Sequence, residues 1–315
     1  MKAGNRKLKV AVLLGGVGEE RDISVQSGRC VAEALEQANF NVVTYDISPD
    51  RMDILQDGSI DVFFVALHGE FGEDGQLQQI LEEKSLVYTG SGPKASRLAF
   101  DKMAGKKAFA EAGLVTPKAI TFDDEIGAKE FERELLQLGE RFVVKPVRQG
   151  STIGVTMADD VNSALAAARQ CSSRFGDCMI EEFVRGREVT VGILDEHALP
   201  IIEIRAKSGF YDYQAKYLDE KTEYLFDTID DVAVSANIKA AALDCFGALG
   251  CRHFARVDFI LGDNDIVYAL EVNTIPGFTS HSLVPKAAAK TGLLMSDLCK
   301  KIVELAYSPL VTRKE

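Results

Sequence analysis

The 315-residue chain contains six cysteines, at 30, 171, 178, 245, 251 and 299, and no Cys-x-x-Cys pair. That scatter excludes a disulfide framework and leaves only Cys245, Cys251 and nearby His253 as a conceivable zinc set, without the usual pairing. Reduced, mostly buried thiols in a cytoplasmic protein are the expectation. No uninterrupted apolar run is long enough to cross a bilayer, so no membrane-spanning helix is expected. The basic start MKAGNRKLK leads into a short apolar run that ends at Gly15-Gly16, too brief for a secretory signal. Positive charge is in deficit: 36 Lys and Arg face 48 Asp and Glu, a net charge of -12. A general nucleic-acid binder would need a basic footprint and is excluded. No Gly-Lys-Ser or Gly-Lys-Thr tripeptide occurs, so there is no Walker A loop. Internal repeats and low-complexity tracts are also missing.

What remains is an ordinary globular composition, 46% apolar and 27% charged, long enough for two or three domains. An apolar run at 9–14, the turn Gly15-Gly16-Val17-Gly18 and a helical pattern over 24–38 read as strand, turn and helix. Strands follow at 41–45 and 62–67, which predicts a parallel, helix-covered sheet. Gly90-Ser91-Gly92-Pro93 marks a boundary. Helices are expected at 97–112, 127–138, 161–171, 233–249, 283–290 and 296–306, and strands at 142–145, 178–183, 187–194 and 199–207.

Two runs near the C-terminus, HFARVDFIL (253–261) and IVYALEVNT (266–274), alternate with period two around Gly-Asp-Asn-Asp, the pattern of a hairpin. One face carries Phe254, Arg256, Asp258 and Ile260 against Val267, Ala269, Glu271 and Asn273. Folding about the turn is expected to set Arg256 near Glu271, with Asp258 diagonal to it. Two carboxylates and an amide oxygen form an oxygen ligand set suited to Mg²⁺ or Mn²⁺. A salt-bridged sheet face, Arg256 neutralising Glu271, is the plainer alternative.

Phe142-Val-Val-Lys145-Pro146 ends a strand, and the loop Gln149-Gly-Ser-Thr-Ile-Gly154 follows after Arg148. A lysine beside a loop of small residues can hold phosphate oxygens, although many such loops are plain turns. Lys102 and Lys216 read by themselves as surface lysines, and Glu181 and Glu188 as exposed hairpin glutamates. Glycines at 15, 16 and 18 with Arg21 break the dinucleotide spacing, which removes an NAD-dependent oxidoreductase. Glu20 could still bind an ammonium. His68-Gly-Glu-Phe-Gly-Glu-Asp-Gly75 lies at the carboxyl edge of a strand, where α/β sheets bind ligands.

Eight segments in order carry a family resemblance: GGVGEERDIS (15–24), HGEFGEDG (68–75), YTGSG (88–92), DK (101–102), KPVRQGSTIG (145–154), FYDYQAKY (210–217), RVD (256–258) and EVNTIPGFTSHSLVP (271–285). From about residue 8 to about 306 the chain resembles a D-alanine–D-alanine ligase of the ATP-grasp superfamily. The resemblance implies an α/β ATP-grasp fold: a Rossmann-like N-terminal domain over 1–93, a central domain with the phosphate loop over 94–184, and a C-terminal domain over 185–315. It implies ATP-dependent joining of two D-alanines through a D-alanyl phosphate, giving ADP and phosphate.

Residue roles follow from the resemblance in the same way. Lys102 and Lys145 resemble the lysines that hold the ATP phosphates. Glu181, the backbone near Val184, and Glu188 resemble adenosine contacts, and Phe210 and Lys216 further nucleotide contacts. Asp258, Glu271 and Asn273 match the ligands of two Mg²⁺ (or Mn²⁺) ions. Glu20 and His68 resemble binders of the first D-alanine, with Ser151 and Tyr217 completing a set with Glu20. Arg256 and the Gly277 N–H resemble the oxyanion stabilisers. Lys216, Ser282 and Leu283 match the dock for the second carboxylate. Tyr217, where depsipeptide ligases tend to carry Phe, favours the dipeptide. A homodimer is implied by the family alone. The loops 149–154 and 208–225 are expected to act as lids; Gly18 and the run 224–229 depart from the family's pattern, which bears on how those lids move. Another carboxylate–amine ligase of the superfamily would share Lys145, Asp258, Glu271 and Asn273 but not Glu20, His68, Lys216-Tyr217 and Ser282-Leu283. A non-catalytic nucleotide-binding regulator would be expected to lack a metal ligand.

Overall fold

The computed structural model describes residues 6–124, 128–205 and 222–311. Strand β1 (Lys9–Gly15), helix α1 (Arg21–Gln37), β2 (Asn41–Ile47) and β3 (Val62–Val65) build a parallel sheet of order β2-β1-β3. Val10, Ala11, Val12 and Leu13 are fully buried on both faces, the signature of a parallel strand covered on two sides. Helix α2 (Gln76–Glu83) packs Leu77 and Leu81 into the cluster of Ala11, Leu13, Phe63 and Val65.

The single helix expected over 97–112 is two helices, α3 (Pro93–Phe100) and α4 (Lys102–Glu111). Asp101 between them leaves the helical region and its carboxylate accepts the Ala104 N–H at 2.9 Å. Such a cap stabilises a helix start by about 1 kcal/mol.

A central antiparallel sheet has the order β4-β7-β5-β6, from β4 (Ala119–Thr121), β5 (Phe142–Pro146), β6 (Thr156–Ala158) and β7 (Cys178–Glu182). Helices α5 (Ala128–Leu138) and α6 (Val161–Phe175) cover one face, where Phe131, Leu135, Phe142, Val144, Ala168 and Ile180 form the core. Alternation puts Val143, Lys145, Met179 and Glu181 on the opposite face.

The largest sheet is antiparallel, order β11-β10-β8-β12-β13 with β9 beside β8. Its strands are β8 (Gly186–Leu194), β9 (His197–Ala198), β10 (Ile202–Arg205), β11 (Glu223–Phe226), β12 (Phe254–Gly262) and β13 (Val267–Asn273). Helix α7 (Val232–Leu249) buries Ile238, Ala242, Cys245 and Phe246 against Val191, Val257 and Phe259. Among the described residues α7 alone is long and apolar enough to cross a membrane, with a mean hydropathy of 1.4. Its packing and the presence of Lys239 and Asp244 mark it as a core helix of this sheet. Helices α8 (Leu283–Lys290) and α9 (Met295–Val311) then return to the first sheet, joining Leu283, Val284, Leu298 and Ile302 to Val10, Val12 and Phe64.

The β12–β13 hairpin forms in a register that differs from the expectation. Arg256 lies opposite Asn273, and Asp258 opposite Glu271; Arg256 does not oppose Glu271. A bulge after Asp258 pairs Phe259 with Ala269 and leaves Leu270 unopposed. Glu271 and Asn273 therefore share a face with Arg256, Asp258 and Leu270, while Ala269 and Val267 turn to the apolar core. Strict alternation could not foresee an extra residue on one strand. The Tyr224-Leu-Phe run that departs from the family forms the edge strand β11, with Lys286 4.2 Å from the Tyr224 ring centroid.

Candidate active site

A cavity of about 720 Å³ separates the polar face of the central sheet from that of the C-terminal sheet, within the usual range for small-ligand sites. Lys145, Glu181 and Val184 line it from the central side, and Glu188, Asp258 and Glu271 from the C-terminal side; Lys102 and Gln149 close one end.

Glu181 is not an exposed hairpin glutamate: it is 2% exposed. Lys145 Nζ donates to its Oε2 at 2.7 Å, and Lys106 pairs with its Oε1. Burial pushes the carboxyl upwards, but the two ammoniums outweigh burial and hold it below the ordinary carboxylate range. Lys102 is likewise no free surface lysine. Its Nζ donates to the Gln149 carbonyl at 2.5 Å and lies 3.3 Å from Glu271 Oε2.

Asp258 is the hub of the C-terminal face. Arg256 binds it with two parallel hydrogen bonds of 2.8 Å each, Thr190 Oγ1 donates to Oδ1 at 2.6 Å, and Asn273 Nδ2 to Oδ2 at 3.0 Å. The hairpin register produces this cluster, because Thr190 and Asp258 are also cross-strand partners. Among the described residues no group of three or more His, Cys, Asp and Glu suits a metal. The oxygen donors that could hold a metal on this face are Asp258, Glu271 and the Asn273 amide oxygen. These three hard donors on one rigid face fit Mg²⁺ or Mn²⁺. Both carboxylates face a cation, Arg256 or Lys102, so their charge is already balanced by groups that phosphates would also attract.

The loop 149–154 connects this cavity to a second cluster. Gln149, Thr152 and Ile153 face the cavity, while the Ser151 hydroxyl donates to the Glu20 carboxylate. Glu20 immediately precedes α1 but does not cap it, which leaves its side chain for this contact. It is 5% exposed. Helix α1 also presents Ser24 and Ser27, one turn apart on its buried face. Ser24 Oγ accepts the His68 N–H at 2.8 Å, and Ser27 Oγ shares a 3.1 Å hydrogen bond with His68 Nε2. Burial lowers the His68 pKa to about 4, so the ring is neutral at pH 7 and does not repel a cation.

Glu73 closes the cluster. It accepts the Gly69 N–H at 2.8 Å and the Ile275 N–H at 3.3 Å. Burial, reinforced by the nearby Glu20 charge, pushes its carboxyl up to about 8. Arg256 is close enough to His68 and Glu73 to bias both titrations. Shortly after Ile275 in sequence, Gly277 faces Ser282: a Cβ built on Gly277 would sit 2.6 Å from Ser282 Oγ. The Ser282 hydroxyl accepts the Thr279 N–H at 2.9 Å and does not cap α8, whose first residue is the buried Leu283.

The structure thus brings Glu20, Ser151, His68, Lys102, Lys145, Glu181, Arg256, Asp258, Glu271 and Asn273 onto two clusters joined by the loop 149–154, with Val184 and Glu188 on the cavity wall; Gly277 and Ser282 adjoin each other, and Leu283 packs into the apolar core. Phe210, Lys216 and Tyr217 lie outside the described residues. Sequence reasoning did not single out Ser24, Ser27, Glu73, Lys106 or Thr190. The two serines carried a signal, since they interrupt the apolar stripe of α1; Lys106 carried none. Of the conceivable zinc set Cys245 is buried and Cys251 and His253 are half-buried: desolvation raises the two thiols to about 12 and 11, and His253 Nδ1 accepts the Gly90 N–H at 3.1 Å.

Comparison with known proteins agrees with this architecture. Solved structures with the same fold include the D-alanine–D-alanine ligase of Bacillus anthracis complexed with ATP, at TM-score 0.84 and 31% identity over 98% of this chain and 99% of that one. Another is the VanG D-Ala:D-Ser ligase of Enterococcus faecalis, at TM-score 0.82 and 28% identity over 96% and 100%. Fold and cavity together define an ATP-grasp protein. A model described as the D-ala D-ala ligase C-terminus matches residues 109–304. The D-alanine–D-alanine ligase of Syntrophotalea carbinolica is 41% identical over 94% of this chain and 95% of its own length. That of Methylacidiphilum infernorum is 38% identical over 95% of each. The chain belongs to the D-alanine–D-alanine ligase family.

Proposed function

We infer that this chain is an ATP-dependent, ADP-forming ligase that joins two D-alanines into D-alanyl-D-alanine for cell-wall precursor synthesis. The observation that carries this is the single loop, 149–154, that lines the cavity with Gln149 and Thr152 and reaches Glu20 with Ser151. Nucleotide and amino-acid sites are thereby adjacent, as a phosphoryl transfer between them requires.

Amide formation in water is uphill, so the carboxylate of the first D-alanine must be activated. Its oxygen attacks the γ-phosphorus of ATP, ADP leaves, and a D-alanyl phosphate forms. Lys102 and Lys145 hold the phosphates. Asp258, Glu271 and Asn273 would hold two Mg²⁺ or Mn²⁺ ions, which when bound neutralise phosphate charge. Glu181, Val184 and Glu188 take the adenosine, with Phe210 and Lys216 as further contacts. Glu20, fixed by Ser151 and Tyr217, holds the ammonium of the first D-alanine beside the neutral His68. The amine of the second D-alanine attacks the acyl carbon, and Arg256 with the Gly277 N–H stabilises the oxyanion. Collapse expels phosphate. Lys216, Ser282 and Leu283 receive the second carboxylate. The loop 149–154 excludes water, to which an acyl phosphate is vulnerable. We further assign the units as 1–93, 94–184 and 185–315, the location as cytoplasmic and the assembly as a homodimer.

The test is nucleotide and phosphate release with ATP, Mg²⁺ and D-alanine, against L-alanine. ADP and phosphate appearing with D-alanine only are expected. AMP and pyrophosphate would mean adenylation and a wrong mechanism. D-serine, offered as second substrate, checks the alternative that the VanG neighbour raises.

A further inference from the structure

Lys106 stands behind the proposed nucleotide site and has no role in the mechanism above. It lies one helical turn after Lys102 on α4 and is 6% exposed. It is not among the side chains that line the cavity. An ammonium has three donors. Lys106 donates to Thr116 Oγ1 at 2.6 Å and to the Pro117 carbonyl at 2.7 Å, and it forms an ion pair with Glu181 Oε1. Buried and absent from the cavity wall, Lys106 reaches a nucleotide only through its ion pair with Glu181.

Glu181 lies between two buried ammoniums, Lys106 on one oxygen and Lys145 on the other. A polyphosphate would compete with Glu181 for the charge and the donors of Lys145. When a polyphosphate draws Lys145 away, a carboxylate that is 2% exposed would become a lone buried anion, an expensive state. Lys106 prevents this, because its own ion pair with Glu181 persists. The socket of Lys106 is also anchored to β13: Thr116 Oγ1 donates to the Ala269 carbonyl at 2.8 Å, and the Ala269 N–H donates to the Val115 carbonyl at 2.8 Å. Burial lowers the Lys106 ammonium to about 8, against the pull of Glu181, so it stays predominantly charged at neutral pH.

We propose that Lys106 is a positioning residue that remains paired with Glu181 and so releases Lys145 to bind the phosphates of ATP. This rests on the reading of Lys145 as a phosphate ligand.

The experiment is calorimetric titration of Mg·ATP, without D-alanine, into the full chain and into Lys106→Met, Glu181→Gln, the double variant and Lys145→Met. Lys106→Met is expected to weaken ATP at least about tenfold when Glu181 is intact but less than about threefold in the Glu181→Gln background, a coupling that double-mutant cycles isolate. The KM for D-alanine should stay within about twofold, since no substrate group is touched. Equal losses in both backgrounds would mean a merely structural lysine and overturn the proposal. Undiminished binding by Lys106→Met, alongside a loss in Lys145→Met, would overturn it while leaving the phosphate site intact. Normal binding by Lys145→Met would overturn the phosphate assignment and this inference with it. Should Lys106→Met fail to fold, Thr116→Val removes one of the three acceptors. It should weaken ATP when Glu181 is intact and not in the Glu181→Gln background, and equal effects would overturn the proposal.

Discussion

The Ser151 hydroxyl donates to the carboxylate of Glu20 across 131 residues of sequence. Two glycines make the contact possible. A Cβ on Gly69 would lie 2.6 Å from Glu20 Oε2, and one on Gly150 2.8 Å from the same atom. Ser151 and Thr152 both adopt left-handed backbone, with φ of 53° and 61°, a conformation that costs a non-glycine residue energy and concentrates at functional sites. The loop 149–154 thus folds back on the start of α1.

Gly150→Ala should therefore displace Glu20 while leaving the cavity wall in place. The expected outcome is a KM for D-alanine raised about tenfold or more with the KM for ATP little changed. Steady-state kinetics in each substrate checks this, and equal changes in both would show that the loop acts as a whole.

Glu271→Gln removes one of two carboxylates that would hold metal and frees Lys102 from its 3.3 Å partner. Turnover should fall at least about 100-fold. The melting temperature should move by no more than a few degrees, because the side chain is partly exposed. Turnover near wild type would sink the metal assignment.

Glu73 gives a signed pH dependence. Its carboxyl rises from an ordinary 4.5 to about 8 in the folded chain, so between those values the folded state holds a proton that the unfolded state has released. The contribution to stability is complete below about 4.5 and is lost as pH rises through about 8. Glu73→Gln should flatten that decline, whose slope for one proton is at most about 1.4 kcal/mol per pH unit. Urea unfolding of both proteins between about pH 5 and about pH 8.5 measures the difference.

Phe278 packs edge-on against Phe64 at 5.6 Å and Phe254 at 5.5 Å between ring centroids. These three rings join β3, β12 and the segment that carries Gly277. Phe278→Ala should cost about 3–5 kcal/mol and raise the KM for D-alanine through Gly277 and Arg256. Denaturant titration and kinetics together test it.

Tyr217→Phe should raise D-lactate use relative to D-alanine. Product ratios in mixed-substrate assays decide it, and an unchanged ratio would show that position 217 does not set specificity.

Much of the fold was legible because it is periodic. The buried run 9–15, the α1 stripe and the alternating β12 and β13 each announce one element through local pattern. The break at Asp101 and the bulge after Asp258 were not legible. Each replaces a regular hydrogen bond with a local alternative whose gain depends on neighbours in space, and the bulge decided which residues face the cavity. Glu181 illustrates the same limit. Read alone it is a surface glutamate; packed against Lys106 and Lys145 it is a buried anion with two counter-ions.

By itself the sequence determined the family, through eight ordered segments, and with it the oxygen-rich face, the lysines and the glycine-bearing loop. Only the tertiary structure decided that Asp258 opposes Glu271, that Ser151 reaches Glu20 and that Lys106 stands behind Glu181. The reason is physical. Residue type and spacing fix what a side chain can do chemically, whereas charge pairing and burial depend on which distant segments the packed cores bring within a few ångströms.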